Sequence, residues 1–202
     1  MHKLFCLSLI ILCSFINLNQ CLFNIRKMKN YILYLALGLS SVLTSCANKE
    51  REVASSVLNS TATNQPIGSA KFFQLSDGKI KMDLEINMPE RADSTVAVHF
   101  HEHGDCGNMG ENTHGHWNPT AEAHGKWDSD TYHSGDIGNI QLDGKGHAEI
   151  SVSTFRWSVA DGDVKNIIGR GIIVHGGTDD YVTQPTGNSG PRIGCGVISA
   201  VK

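Results

Sequence analysis

Lys71-Phe72-Phe73-Gln74-Leu75-Ser76-Asp77-Gly78-Lys79-Ile80-Lys81-Met82-Asp83-Leu84-Glu85-Ile86 is the stretch that decides the fold class. From Lys79 to Ile86, charged and apolar residues alternate with a period of two. On a strand that period sends one row to a buried face and the other to solvent. Ser76-Asp77-Gly78 separates two such runs and reads as a hairpin, because Asp and Gly accept turn backbone at little cost. Thr95-Val96-Ala97-Val98-His99-Phe100-His101 repeats the alternation, and further strands are expected at Ile137–Leu142, His147–Ser153, Gly171–His175 and Gly194–Ala200. The turn Asp143-Gly144-Lys145-Gly146 joins two of them. Glu52–Leu58 reads equally well as a strand or a short helix, and no helical period follows residue 58. Several short strands separated by Gly-rich turns predict an all-β domain, a sandwich or a barrel.

Two stretches break the alternation, Gly104 to Asp136 and Gly176 to Arg192. Irregular segments longer than about 15 residues need an organiser inside a compact domain. The first is rich in candidate metal ligands. Ten histidines occur in 202 residues, nine of them between positions 99 and 175. His99, His101, His116, His124, His133 and Asp136 form an ordered series, with His175 following. Neutral imidazole is the commonest ligand for copper and zinc, and a carboxylate among histidines suits zinc. His99 and His101, two apart on a strand, leave the same face. The set exceeds what one four-coordinate ion uses, so two neighbouring metals are expected.

The front of the chain has a different character. No acidic residue precedes Glu50, and Leu4–Phe23 and Tyr31–Leu43 are apolar around the basic Arg26-Lys27-Met28-Lys29. Residues 28–46 read as an export signal, and Leu43-Thr44-Ser45-Cys46 resembles a lipoprotein lipobox, with Cys46 as the lipidation site. Residues 1–27 are read as an upstream extension before a natural start at Met28, or alternatively as a first membrane segment. Residues 47–51 form a short tether, and 52–202 the folded domain. Beyond Cys46 the chain carries 13 Lys and Arg against 20 Asp and Glu, a formal charge of −7. With no basic stripe, nucleic acid is not an expected partner. Cys106 and Cys195 are the two cysteines left in the domain, and an even pair in an exported domain reads as a disulfide.

The segment His99-Phe100-His101-Glu102-His103-Gly104-Asp105-Cys106 is similar to the first signature of the copper–zinc superoxide dismutases. The family's spacings are matched from His116 to His124, to His133 and to Asp136, and Gly135-Asp136-Ile137-Gly138-Asn139 matches as well. Gly187-Asn188-Ser189-Gly190-Pro191-Arg192-Ile193-Gly194-Cys195-Gly196-Val197-Ile198 resembles the second signature. The resemblance, closest to bacterial members, implies a Greek-key β-sandwich or flattened barrel with two long functional loops. It implies copper on His99, His101, His116 and His175, and zinc on His116, His124, His133 and Asp136, with His116 bridging. Asp179 matches a carboxylate linking His99 to His124, Arg192 an arginine that positions the anion, and Cys106–Cys195 the family disulfide.

The implied reaction is dismutation of superoxide to O2 and hydrogen peroxide through a copper redox cycle, His116 carrying a proton between its two halves. Lipidation at Cys46 would make the product a membrane-anchored lipoprotein facing the periplasm or cell exterior. A homodimer is one arrangement the family allows. The alternative function is a non-enzymatic copper- or zinc-binding, or metal-delivery, lipoprotein on the same fold; it has no need of Arg192 or of a bridging histidine. Two departures stand out. Ala97 occupies a position usually held by Gly, and Gly176 to Pro191 contains no Lys or Arg to guide an anion. His103, His114 and His147 match no ligand position and are expected in solvent, while Trp117, Trp127 and Tyr132 are expected to pack the loops.

Overall fold

The alternating segments become strands of one antiparallel sheet that curls almost shut. The computed structural model describes residues 50–201; the expected signal, the apolar segments and Cys46 lie outside the described residues. The strands are β1 (Arg51–Ser60), β2 (Pro66–Gln74), β3 (Ile80–Asn87), β4 (Thr95–His101), β5 (Asp136–Gln141), β6 (His147–Thr154), β7 (Gly171–His175), β8 (Arg192–Val197) and β9 (Ser199–Ala200). Their order is β5-β4-β7-β8-β1-β2-β3-β6, with the short β9 on β1. The ladders β4–β7, β8–β1 and β3–β6 join strands distant in sequence, which is the Greek-key crossing. The end strands β5 and β6 are consecutive in the chain. Their turn is pinned where Met88 N–H donates to Gly146 O at 2.8 Å and Asp143 N–H to His147 O at 2.9 Å. The result is a nearly closed eight-strand barrel, which leaves little unpaired edge.

Glu52–Leu58, open between strand and short helix from sequence, lie within strand β1 because they pair along their length with β2. The hairpin at Ser76–Gly78 forms as expected, with Leu75 N–H donating to Lys79 O and Asp77 Oδ1 accepting from Lys79 N–H. On β3, Ile80, Met82, Leu84 and Ile86 are buried and the intervening Lys81, Asp83 and Glu85 are not. Burial of such side chains contributes on the order of 2 kcal/mol each. Phe72, Phe100 and Trp157 meet at the centre, with ring centroids 5.0–6.3 Å apart. Trp157 comes from a third irregular connection, 155–170, which the alternation pattern left unassigned.

β4 departs from the half-exposed strand its alternation implies: Val96 through His101 are all buried. Val96, Val98 and Phe100 enter the apolar core. His99 and His101, on the other face, are covered by the two long loops. Ala97 is fully buried there, its N–H donating to Gly177 O at 3.0 Å. The extra methyl is thus accommodated beneath the second loop.

Candidate metal centre

β4 and β7 run side by side and bring three imidazoles to one end of the sheet. His99 and His101 leave β4 on the same face, and His175 ends β7 opposite Ala97. His116 joins them because residues 115–117 fold back on β4: His101 and His116 form an isolated antiparallel bridge, and Trp117 N–H donates to Phe100 O at 2.8 Å. One ring nitrogen from each of His99, His101, His116 and His175 lies within 4.8 Å of the others, and all four residues are buried. The far nitrogens are held: His101 Nδ1 by His114 O at 2.8 Å, His175 Nδ1 by Gly190 O at 3.1 Å, and His99 Nε2 by Asp179 Oδ2 at 2.8 Å. A ring N–H given to a fixed acceptor leaves the other nitrogen with a free lone pair aimed inward.

The second tetrad shares His116. Its ligand atoms, with those of His124, His133 and Asp136, also lie within 4.8 Å of one another. Asp136 organises the set. Its Oδ2 accepts from the backbone N–H groups of Gly125 and His133, at 3.1 and 2.9 Å, and its Oδ1 lies 2.9 Å from His116 Nδ1. His124 Nδ1 and His133 Nδ1 approach the same carboxylate at 2.9 and 3.2 Å. His116 therefore turns Nδ1 towards the Asp136 group and Nε2 towards the first tetrad.

Whether these residues fit two metals is tested by polar atoms without partners. His99 Nδ1, His116 Nε2, His124 Nδ1 and His133 Nδ1 are buried with no hydrogen bond of acceptable geometry. Orphaned buried nitrogens cost roughly 1–3 kcal/mol each, so they need an explanation. All four belong to residues of the two tetrads, and a cation at each centre would satisfy them. Burial, reinforced by neighbouring imidazoles, holds His101 down to about 2 and His175 to about 3. Burial also brings His116 to about 4, against the opposing bond to Asp136. These rings stay neutral at neutral pH, which is the ligand form. His124 differs: burial opposes its protonation, but the adjacent carboxylates of Asp136 and Asp179 raise it to about 9. Asp136 and Asp179 are held below the usual carboxylate range by their histidine partners, despite burial.

Asp179 spans the two centres, since Oδ2 accepts from His99 Nε2 and Oδ1 accepts from His124 Nε2 at 2.9 Å. Four residues that hold this arrangement were given no role from the sequence. Asn139 grips the Asp179 backbone at both ends, Nδ2 donating to O and Oδ1 accepting from N–H, each at 2.8 Å. Gln184 does the same for His124, at 3.0 and 2.9 Å. Trp157 Nε1 donates to Ser134 O at 2.8 Å, and Arg156 bonds Tyr132 O while pairing with Glu122. The third connection thus braces the loop carrying His124 and His133. Trp117, Trp127 and Tyr132 pack as expected: Trp117 and Tyr132 are buried, and Trp127 lies against Trp157.

Arg192 opens β8 directly opposite His175. Its Nη1 donates to Gly110 O and Thr113 Oγ1 and its Nη2 to His114 O, at 2.7–2.8 Å. With His101, His116, His175 and Ser189 it lines a cavity of about 280 Å³ open to solvent. Glu111 stands on the same rim, 3.5 Å from Arg192 Nε, an acidic group that sequence reading did not single out. Cys106 and Cys195 are disulfide-bonded, tying the start of the first loop to β8. His103 and His114 are exposed as expected, yet they stand together with Glu102. His147 is only partly exposed and lies 3.5–3.7 Å from Glu85 and Glu149.

Residues 67–198 match the family model described as copper/zinc superoxide dismutase.

The chain belongs to that family.

It is an oxidoreductase of the superoxide dismutase class, with copper and zinc as its metals. Among curated relatives, superoxide dismutase [Cu-Zn] 1 of Aquifex aeolicus is 34% identical over 139 residues, 66% of this chain and 80% of its own. The superoxide dismutase [Cu-Zn] of Cordyceps militaris is 40% identical over 145 residues, 65% and 88% of the two chains. Among solved structures, the clock protein EA4 superposes with a TM-score of 0.66 at 30% identity, covering 74% of this chain and 94% of that one. A SOD-like protein from Bacillus subtilis gives 0.63 at 26%, covering 71% and 96%. The fold is thus shared with proteins bearing other names.

Proposed function

We propose that this chain dismutates superoxide with copper on His99, His101, His116 and His175 and zinc on His116, His124, His133 and Asp136. The observation that carries the reading is the orientation of His116: Nδ1 stands 2.9 Å from Asp136 Oδ1, while Nε2 is buried and unpartnered beside His99, His101 and His175. A metal on each side of the ring would engage Nε2, which has no partner, and would share Nδ1 with the Asp136 group. Bound copper supplies the one-electron couple that turns two superoxide anions and two protons into O2 and hydrogen peroxide.

The remaining work falls to the chain's own groups. Arg192 places a guanidinium on the cavity wall beside the ligands, held by three acceptors so that its charge faces an entering monoanion without reorganising. Since the mature part carries a net negative charge, attraction rests on this local field. His116 Nε2 is the atom that takes up and releases a proton between the two half-reactions, and Asp136 orients the ring for it. Asp179 keeps His99 and His124 in fixed tautomers. The second, non-catalytic reading (a metal-binding or delivery protein) gives no role to Arg192 on the cavity wall. Superoxide consumption by protein loaded with one copper and one zinc tests the choice. Tight metal binding with a rate no better than free copper would sink the enzyme reading.

We also propose export, with lipidation at Cys46 after a signal at 28–46 and a tether at 47–51. The Cys106–Cys195 bond supports an oxidising compartment. Mass spectrometry of the mature N-terminus tests it; an unmodified peptide running through Cys46 excludes the anchor.

A further inference from the structure

Beyond the first tetrad, the pairing of its two segments continues outward. His101 and His116 face each other across the antiparallel bridge. One step on, Glu102 N–H donates to Gly115 O at 3.1 Å, and His103 N–H then donates to Thr113 O at 3.2 Å. This places His103 against His114, with ring centroids 4.7 Å apart and planes at 88°. Glu102 Oε2 lies 4.0 Å from His114 Nδ1. One ligand atom from each of Glu102, His103 and His114 falls within 4.8 Å of the others, and all three residues are exposed. A buried histidine pair and an exposed one therefore follow each other on the same two segments, roughly 7 Å apart at about 3.3 Å per residue.

We propose that Glu102, His103 and His114 form a surface site for a divalent transition metal, and that it captures copper(II) and passes it to the buried tetrad. Two imidazoles and a carboxylate are donors suited to copper(II) or zinc(II). At an exposed site that imposes little geometry, intrinsic affinity decides, and it favours copper. Three protein donors leave positions for water, so the ion is held without being enclosed and exchanges readily. The inner and outer rows share a rigid backbone, because His114 O accepts from both His101 Nδ1 and Arg192 Nη2 at 2.8 Å. Transfer is ligand exchange alone: copper(II) stays copper(II), and the outer imidazoles are replaced by the inner ones. The transfer step rests on the metal reading of the buried tetrad; binding at the surface does not.

The test uses the full domain loaded with one zinc and one copper per chain. Titration with further copper(II), followed by calorimetry and electron paramagnetic resonance, gives one additional equivalent with nitrogen hyperfine structure. That equivalent weakens at least tenfold in His103→Ala. Separately, zinc-loaded, copper-free protein is mixed with limiting copper(II) glycinate, and the copper absorption band is followed in time. Uptake slows several-fold in His103→Ala and in Glu102→Gln, while the final copper content and final turnover equal those of the unsubstituted protein. Absence of the extra equivalent, or its persistence unchanged in His103→Ala, overturns the site. Uptake rates equal to the unsubstituted protein overturn the capture role. If the extra equivalent binds while the buried tetrads hold no metal, the surface site stands and the catalytic reading fails.

Discussion

Gly187 lies so close to Asp179 that a Cβ at that position would stand 1.8 Å from Asp179 Oδ1 and 2.6 Å from His124 Nε2. Its φ of +65° is also in the left-handed region, which side-chain-bearing residues rarely adopt. The carboxylate that joins the two tetrads is thus seated against bare backbone. Gly187→Ala is expected to push Asp179 off His124, lowering zinc content and costing at least about 1–3 kcal/mol from overpacking. Elemental analysis with urea denaturation checks this; full zinc occupancy with unchanged stability refutes it.

Asp179→Asn leaves the volume unchanged but replaces one accepting oxygen with an N–H donor, so one of His99 and His124 loses its acceptor. Losing a partner that orients a metal ligand typically weakens affinity about 10–100-fold. The expected outcome is that metal competition with a chelator shifts by that factor while circular dichroism is unchanged.

Arg192→Ala removes the one cation on the wall of the 280 Å³ cavity among its lining residues. Dismutation is expected to fall about tenfold or more, with weaker dependence on ionic strength and unchanged copper and zinc. Arg192→Lys restores charge without the three-point anchor to Gly110, Thr113 and His114, and is expected to recover only part of the rate. Loss of metal in Arg192→Ala would reassign this residue to holding the ligands.

Cys106 and Cys195 are separated by 89 positions in the chain. A cross-link over a loop of that size restricts the unfolded state by about 4–5 kcal/mol in the chain-entropy model. The Cys106→Ser/Cys195→Ser double variant is therefore expected to show a markedly lower denaturation midpoint, measured by urea titration against the oxidised protein. Coincident curves would contradict it.

The metal-free protein is expected to be most stable near neutrality. His101, His116 and His175 have native values of about 2, 4 and 3, so below about 6.5 the unfolded chain binds protons that the folded one refuses. Stability therefore falls as pH drops through that value. His124 acts oppositely: raised to about 9, its contribution is complete below about 6.5 and lost as pH rises towards 9. Urea midpoints of metal-free protein from pH 5 to 9 should trace a maximum. Metal-loaded protein, whose ring nitrogens are occupied, should give a flatter curve.

The all-β class and the hairpin at Ser76–Gly78 were legible in the sequence, as was a surplus of metal-capable side chains between His99 and His175; the resemblance to the dismutase family supplied the two proposed ligand sets. Period-two alternation and a run of histidines are local patterns that survive without tertiary context. The roles of Asn139, Gln184 and Trp157 were not, because each acts on a residue 23 to 60 positions away through a hydrogen bond set by strand order. The burial of both faces of β4 was hidden for the same reason: whether a polar row meets water depends on which loops fold over it. One further fact belongs to the tertiary structure alone: His103 and His114, expected separately in solvent, meet beside Glu102. Residue identity determines which atoms are able to bind a metal; the antiparallel return of residues 113–117 onto β4 determines which of them converge.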